Sequence, residues 1–242
     1  MVEAVRLRRA SSRKEVGKTL VEGPHLVADL IRFGVPIDTM FAHPHDEEAA
    51  GLAEQSGAEL VLVEESILRR IADTDNPRGP VAVIAIPPSI QATGSVVVLW
   101  DLADPGNAGT IVRSAAAFGF GVIVAGQSVD IWAPKTIRAG GGGHFATAVE
   151  VAPSLTVDDL KSRGYATVAT VGVGGDGPGS IPSGPVAILI GNEAHGLADE
   201  IVGQADHRFT IAMPGGTESL NAAAAASIAL YAIENRSSKG GR

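Results

Sequence analysis

The chain contains no cysteine. Disulfides, cysteine-ligated zinc, iron–sulfur clusters and thiol nucleophiles are therefore excluded. The absence fits a cytoplasmic protein without demanding one. Aromatic residues are scarce, 4% of 242 residues, so a core must be built from Ala, Val, Ile and Leu; at 45% hydrophobic and a mean hydropathy of +0.20 the chain has enough of them. No run of about 18 apolar residues is present, which argues against a membrane span. Arg6, Arg8 and Arg9 have no apolar stretch behind them, so the N-terminus does not read as a signal peptide. A basic surplus is lacking too: the net charge of −8 argues against a general nucleic-acid binder.

The charge is nevertheless unevenly spread. Arg6, Arg8, Arg9, Arg13, Lys14 and Lys18 face only Glu3 and Glu15 within the first 20 residues, a local balance of +4 that leaves −12 for the rest. Two readings stand side by side, a solvated basic helix and a phosphate-contacting patch.

Strand-like and helix-like segments alternate along the whole chain. Residues 1–20 read as helical. Helices follow at 25–33, 46–56 (with Gly57 as its C-cap) and 65–72, and strands at 39–42, 59–63 and 81–86. The paired prolines Pro87 and Pro88 cannot sit inside a central strand or a helix, so 89–94 is taken as a linker between units 1–88 and 95–242. In the second unit strands are expected at 96–100, 122–125, 145–151, 165–169, 186–190 and 207–211. Helices are expected at 108–118, 134–139, 156–163 and 220–235. Such alternation predicts an α/β fold with a mainly parallel sheet covered on both faces.

Three polar blocks stand where strands end. The first is Asp104-Pro105-Gly106-Asn107-Ala108-Gly109, with Arg113 on the helix that follows. Asn107 reads as a helix cap. Arg113, placed on the second turn, is either a surface charge or a clamp for a phosphate or carboxylate. The second is Gly191-Asn192-Glu193-Ala194-His195-Gly196-Leu197, where Glu193 caps a helix or serves a site and the glycines admit a ligand to the backbone. The third is Glu218-Ser219-Leu220-Asn221, where spacing alone favours Ser219 as an N-cap. Ligands bind at the carboxyl ends of parallel strands, so three blocks at three such ends suggest one composite site.

Two glycine-rich stretches carry less. Residues 172–179 follow a strand, but Pro178, Gly179 and Pro182 disfavour the helix that a dinucleotide fingerprint needs, so a NAD site is disfavoured. No Gly-Lys-Ser/Thr follows Gly140-Gly141-Gly142-Gly143, so that run is not a P-loop.

In combination and order, Asp104-Pro-Gly-Asn107 with Arg113, Gly191-Asn-Glu193 with Gly196-Leu197, and Glu218-Ser219-Leu220-Asn221 resemble the SpoU/TrmH family of RNA ribose 2′-O-methyltransferases, within the SPOUT superfamily. Residues 1–88 are similar to the substrate-binding domain related to ribosomal protein L30e, on Glu22-Gly23 and Asp75-Asn76-Pro77-Arg78-Gly79. The resemblance implies a C-terminal SPOUT α/β fold with a deep trefoil knot and a mainly parallel sheet, beside a smaller L30e-like α/β domain. It implies S-adenosyl-L-methionine as cofactor, against Thr170, Gly191, Ile211, Met213 and Leu220. It implies a cytoplasmic homodimer whose catalytic residues are Asn107, Arg113, Glu193, Ser219 and Asn221, with no metal. RNA is the implied substrate, 23S rRNA before tRNA, and the basic residues of the first 20 are its expected contacts. A non-catalytic RNA-binding protein with a vestigial methyltransferase domain is the rival class. One departure is visible: where the family often has serine after the pair matching Arg138-Ala139, this chain has Gly140.

Overall fold

The computed structural model describes residues 2–74, 76–77, 79–217 and 219–236. Asp75, Arg78 and Glu218, part of the motifs above, lie outside the described residues.

Chain order in the first unit is α1 (Val2–Arg6), α2 (Ala10–Val16), β1 (Lys18–Glu22), α3 (Pro24–Arg32), β2 (Thr39–Ala42), α4 (Glu47–Ser56), β3 (Glu59–Leu62), α5 (Glu65–Ile71) and β4 (Val81–Ala85). The second unit continues with β5 (Val96–Trp100), α6 (Pro105–Phe118), β6 (Gly121–Ala125), α7 (Pro134–Gly140), α8 (Gly143–Ala146), β7 (Val149–Ala152), α9 (Val157–Ser162), β8 (Ala166–Thr170), β9 (Val186–Ile190), α10 (Asp199–Gln204), β10 (His207–Phe209) and α11 (Ala222–Glu234).

Two sheets result. The first runs β1-β4-β2-β3, with β4 antiparallel to both β1 and β2, and β2 parallel to β3. The second runs β10-β8-β9-β5-β6-β7, and every pairing in it is parallel. Its central strands β5, β6 and β9 are β-branched and aliphatic and almost wholly buried, as a sheet covered on both faces requires. Strand order reverses where β9 pairs with β5 (Leu99 opposite Ile190). A crevice opens at such a switch point.

The basic N-terminal segment differs from expectation. It is two short helices broken at residues 7–9, and then an edge strand, β1, at 18–22. Lys18-Thr19-Leu20-Val21-Glu22 alternates too little to signal a strand; pairing with the apolar β4 makes it one. Residues 145–151 are not one strand. Gly143–Ala146 forms a helical turn first, and β7 begins at Val149. Helix α10 was not expected.

The two units share one apolar core, in which Val21, Val27 and Ile84 of the first pack with Trp132, Ile137 and Leu230 of the second. Thr19 Oγ1 donates to the Trp132 carbonyl oxygen at 2.7 Å. The 89–94 segment is fastened rather than loose. Val151 N donates to Ser89 Oγ (2.9 Å), Ala92 N to Glu150 Oε2 (3.2 Å), and Tyr165 Oη to the Ala92 carbonyl oxygen (2.9 Å).

Candidate active site

Strand β5 ends at Trp100 and β9 at Ile190, side by side. The loops that leave them carry the first two polar blocks, so parallel pairing brings together residues about 90 positions apart. Asp104, not Asn107, caps α6: its carboxylate accepts from Asn107 N at 2.8 Å. Asn107, in the first turn, keeps its side chain for other partners. Its Nδ2 donates to Glu193 Oε1 at 3.1 Å, and its Oδ1 accepts from Asn221 Nδ2 at 2.9 Å.

The polarity of this chain is set from both ends. Glu193 can only accept, so Asn107 must turn its amide nitrogen toward it and its oxygen away. Asn221 caps α11 by accepting from Ala223 N (2.9 Å) and Ala224 N (3.2 Å), which leaves its nitrogen for Asn107. The cap of α11 is therefore Asn221, and not Ser219 as spacing favoured. Glu193 caps nothing; the N-cap of the next helix is Ala198. Its carboxylate also accepts from Ala103 N (3.1 Å) and Asp104 N (2.9 Å). Partial burial works against its charge, but the donors from Asn107, Ala103 and Asp104 outweigh it and hold the carboxyl below its ordinary range.

A cavity of about 280 Å³ opens beside this cluster, at the carboxyl ends of β8, β9 and β10. Thr170, Gly191, Ile211, Met213 and Leu220 all line it, together with Glu193 and Ser219. The Thr170 hydroxyl is committed to the Leu189 carbonyl oxygen at 2.8 Å. At Gly191 the missing side chain serves the chain itself: a Cβ there would stand 2.2 Å from the carbonyl carbon of Gly196. The loop 191–197 therefore folds back on its own strand end.

Arg113 stands apart from the cluster. It lies in the third turn of α6, not the second, six residues beyond Asn107, or about 9 Å of rise and two-thirds of a turn away from it. It is exposed, and its side chain makes no hydrogen bond or ion pair among the described residues. The 140–143 glycines form its seat. A Cβ at Gly141 would stand 3.2 Å from Arg113 Nη1, and one at Gly143 2.9 Å from Arg113 Cα. At Gly140, where a serine was noted as missing, the buried His144 ring fills the place, its Cε1 2.4 Å from a would-be Cβ.

The basic segment is divided. Arg6, Arg8, Arg9 and Lys14 are exposed. Lys18 is on β1 and pairs with Asp38 at 3.0 Å. Arg13 does not belong to a solvated face at all, being 3% exposed. Its guanidinium donates to Asp130 Oδ2 (3.1 and 2.6 Å) and to the carbonyl oxygens of Leu7 (2.8 Å) and Arg8 (3.0 Å). It is a clamp between the units.

No group of three or more His, Asp or Glu placed to hold a metal occurs among the described residues. Residues 172–179 hold no α-helix, only a 3₁₀ turn at Pro178–Ser180, so they offer no helix N-terminus to a dinucleotide. No helix among the described residues is long and apolar enough to cross a membrane.

Residues 94–231 match the model of the SpoU rRNA Methylase family, and residues 2–82 match the MRM3-like substrate binding domain. The chain belongs to the SpoU rRNA methylase family. It is 31% identical over 232 residues to the 23S rRNA (guanosine(2553)-2′-O)-methyltransferase RlmP of Bacillus subtilis (strain 168), covering 93% of this chain and 92% of the relative. It is 32% identical to the 23S rRNA (uridine(2479)-2′-O)-methyltransferase of Streptomyces viridochromogenes, covering 91% and 84%. Its fold superposes on the SpoU methyltransferase AviRb from Streptomyces viridochromogenes, solved in complex with AdoMet, with a TM-score of 0.88 at 27% identity, covering 99% of this chain and 98% of that one. Membership in the SpoU family accounts for the parallel sheet and the order of the three polar blocks. Asn192, which lines the cavity, was not among the expected site residues. Its only signal was an amide side chain two residues after a buried strand.

Proposed function

We propose that this protein transfers a methyl group from S-adenosyl-L-methionine to a ribose 2′-hydroxyl of structured RNA, with 23S rRNA preferred over tRNA. The observation that carries the reading is the hydrogen-bonded series Glu193–Asn107–Asn221 at the β5/β9 switch point, beside the cavity at the carboxyl ends of β8, β9 and β10. The cavity suits a ligand with an apolar ring and polar ends. Ile190, Ile211, Met213 and Leu220 supply apolar wall, and Asn192, Glu193 and Ser219 supply polar groups. When bound, S-adenosyl-L-methionine supplies a methyl group already activated on a sulfonium, so positioning of the acceptor accounts for much of the rate.

Asn107, Glu193, Ser219 and Asn221 orient the ribose. Glu193 is a poor base, because three donors already hold it as the anion. The part of Arg113 is to bind the adjacent phosphate and to stabilise the developing alkoxide through its guanidinium. Its separation from the asparagines within one chain supports a homodimer in which the site is composite. Ile228 and Tyr231 on α11 are 42% and 58% exposed, and Tyr231 meets Phe118 of α6 edge-on. This apolar stripe on α6 and α11 is where a second copy would sit.

Units 1–88 and 95–242 would bind substrate and catalyse, respectively, with 89–94 joining them. Arg6, Arg8, Arg9 and Lys14 are available to RNA phosphates, whereas Lys18 would have to leave Asp38. A deep trefoil knot and a cytoplasmic location complete the proposal. The strand order supports the knot, since β9 returns to the sheet centre after the edge has been built.

Arg113→Lys keeps the charge and loses the planar fork. Methylation should fall by two orders of magnitude or so, about 3 kcal/mol in the barrier, while cofactor affinity by calorimetry stays within a few-fold. Near-normal turnover would sink the assignment. Mapping 2′-O-methyl sites in total RNA with and without the gene identifies the nucleotide.

A further inference from the structure

We propose that Asp101 and Asn192 are positioning residues for this reaction, a brace that sets the loop carrying Glu193 against the loop carrying Asp104 and Asn107. Asp101 is the one non-glycine among the described residues with positive φ, at 54°. Such a conformation is costly and persists only where its surroundings hold it. Here they do. Gln127 N donates to Asp101 Oδ1 at 2.7 Å, and Gly126, at φ 61°, comes so close that a Cβ on it would stand 2.2 Å from that oxygen.

The strained backbone leaves the Asp101 carbonyl oxygen to accept from Asn192 Nδ2 at 2.9 Å. Asn192 uses every other group on its own loop. Its Oδ1 accepts from Ala194 N (2.9 Å) and His195 N (3.3 Å), and its backbone exchanges hydrogen bonds with Gly196 in both directions (3.0 and 2.8 Å). Glu193 is thus held in a closed turn. The Glu193 carboxylate then receives the amides of Ala103 and Asp104, two and three residues beyond Asp101. The two loops are therefore tied in both directions: Asn192 donates one way, and Ala103, Asp104 and Asn107 donate the other. Without the Asn192 contact, the loop that carries Glu193 is referred to the end of β5 only through the Glu193 carboxylate itself.

The role rests on the proposed methyl-transfer reading of the site, but its test does not depend on turnover alone. Asn192→Asp is isosteric and keeps Oδ1 as an acceptor. It replaces the donor with an oxygen facing the Asp101 carbonyl. Asp101→Ala loses both the Gln127 contact and tolerance of positive φ, whereas Asp101→Asn keeps both. In Asn192→Asp and Asp101→Ala, kcat should fall at least about tenfold, the loss of about one hydrogen bond, with RNA KM little changed and the melting temperature lowered by a few degrees. The Glu193 carboxyl, followed by ¹³C NMR titration, should move up toward an ordinary glutamate in Asp101→Ala, where loss of the Asp101 charge by itself would move it down. Asp101→Asn should restore kcat and the titration. A Glu193 titration unmoved or lowered in Asp101→Ala, or kcat within twofold of wild type in Asn192→Asp, overturns the brace. Should the wild-type chain transfer no methyl group to RNA, the proposed reaction fails, and the Glu193 titration still decides the brace.

Discussion

Asn107 illustrates what one side chain does when both its ends are spoken for. Its amide can adopt only one orientation, because an acceptor-only carboxylate stands on one side and a capping asparagine on the other. His144 is the opposite case. It is buried against Trp132 (5.6 Å between ring centroids), and neither ring nitrogen reaches a hydrogen bond of ordinary geometry among the described residues. Burial lowers its pKa to about 4, the nearby Ile131 backbone opposing this only in part. Because the folded-state value lies below the ordinary 6.5, the fold favours the neutral ring. Its contribution to stability is whole above pH 6.5 and is lost as pH falls from there toward 4. Between pH 7 and pH 5 the protein should lose about 2 kcal/mol that His144→Leu does not lose. Urea denaturation of both proteins at the two pH values checks this; parallel pH dependence would mean that the ring takes up its proton in the fold.

At the scale of elements, helix ends decide the geometry of the site. Asp104 caps α6 and Asn221 caps α11, and each helix start thereby presents a polar side chain to the β5/β9 crevice. Asp104→Ala should destabilise the protein by about 1 kcal/mol, while Asp104→Asn, which retains an acceptor, should cost only a few tenths. Chemical denaturation measures both, and equal losses would rule out capping as the cause. The elements legible in the sequence were those with a local signal. Strands β5 and β9 declared themselves as unbroken apolar runs, and α4 by Asp46 and Gly57 at its ends. Strand β1 was not legible, since Lys18–Glu22 becomes a strand only by pairing with β4. The caps of α6 and α11 were misjudged for a related reason. Several residues in each block have a capping side chain, and the entry angle from the preceding strand chooses among them.

For the whole molecule, the Arg13–Asp130 pair shows that the units are docked rather than tethered. Removing Asp130 costs far more than an exposed bridge is worth, because it leaves the buried Arg13 guanidinium without its counter-ion. The proposed composite site makes a prediction at this scale. Arg113→Ala and Glu193→Gln are each expected to be inactive alone. After mixing and subunit exchange, half of the dimers are hybrids, and one of the two sites in each is intact, so roughly a quarter of wild-type activity should return. A methylation assay on the mixture checks this. No recovery in dimers shown to have exchanged would place Arg113 and Glu193 of one chain in the same site.

The sequence by itself determined the class of fold, the parallel character of the second sheet, the absence of cysteine chemistry and the family to which the three polar blocks belong. These follow from composition, periodicity and residue order, which are properties of the chain before it folds. Only the tertiary structure decided which residues of those blocks meet. It joined Glu193 to Asn107 and Asn221, set Arg113 apart on its glycine seat, buried Arg13 against Asp130 and gave Asp101 its strained turn. The reason is physical. A side chain's partners depend on strand order and on where each helix enters, and both are settled by packing between segments far apart in the chain.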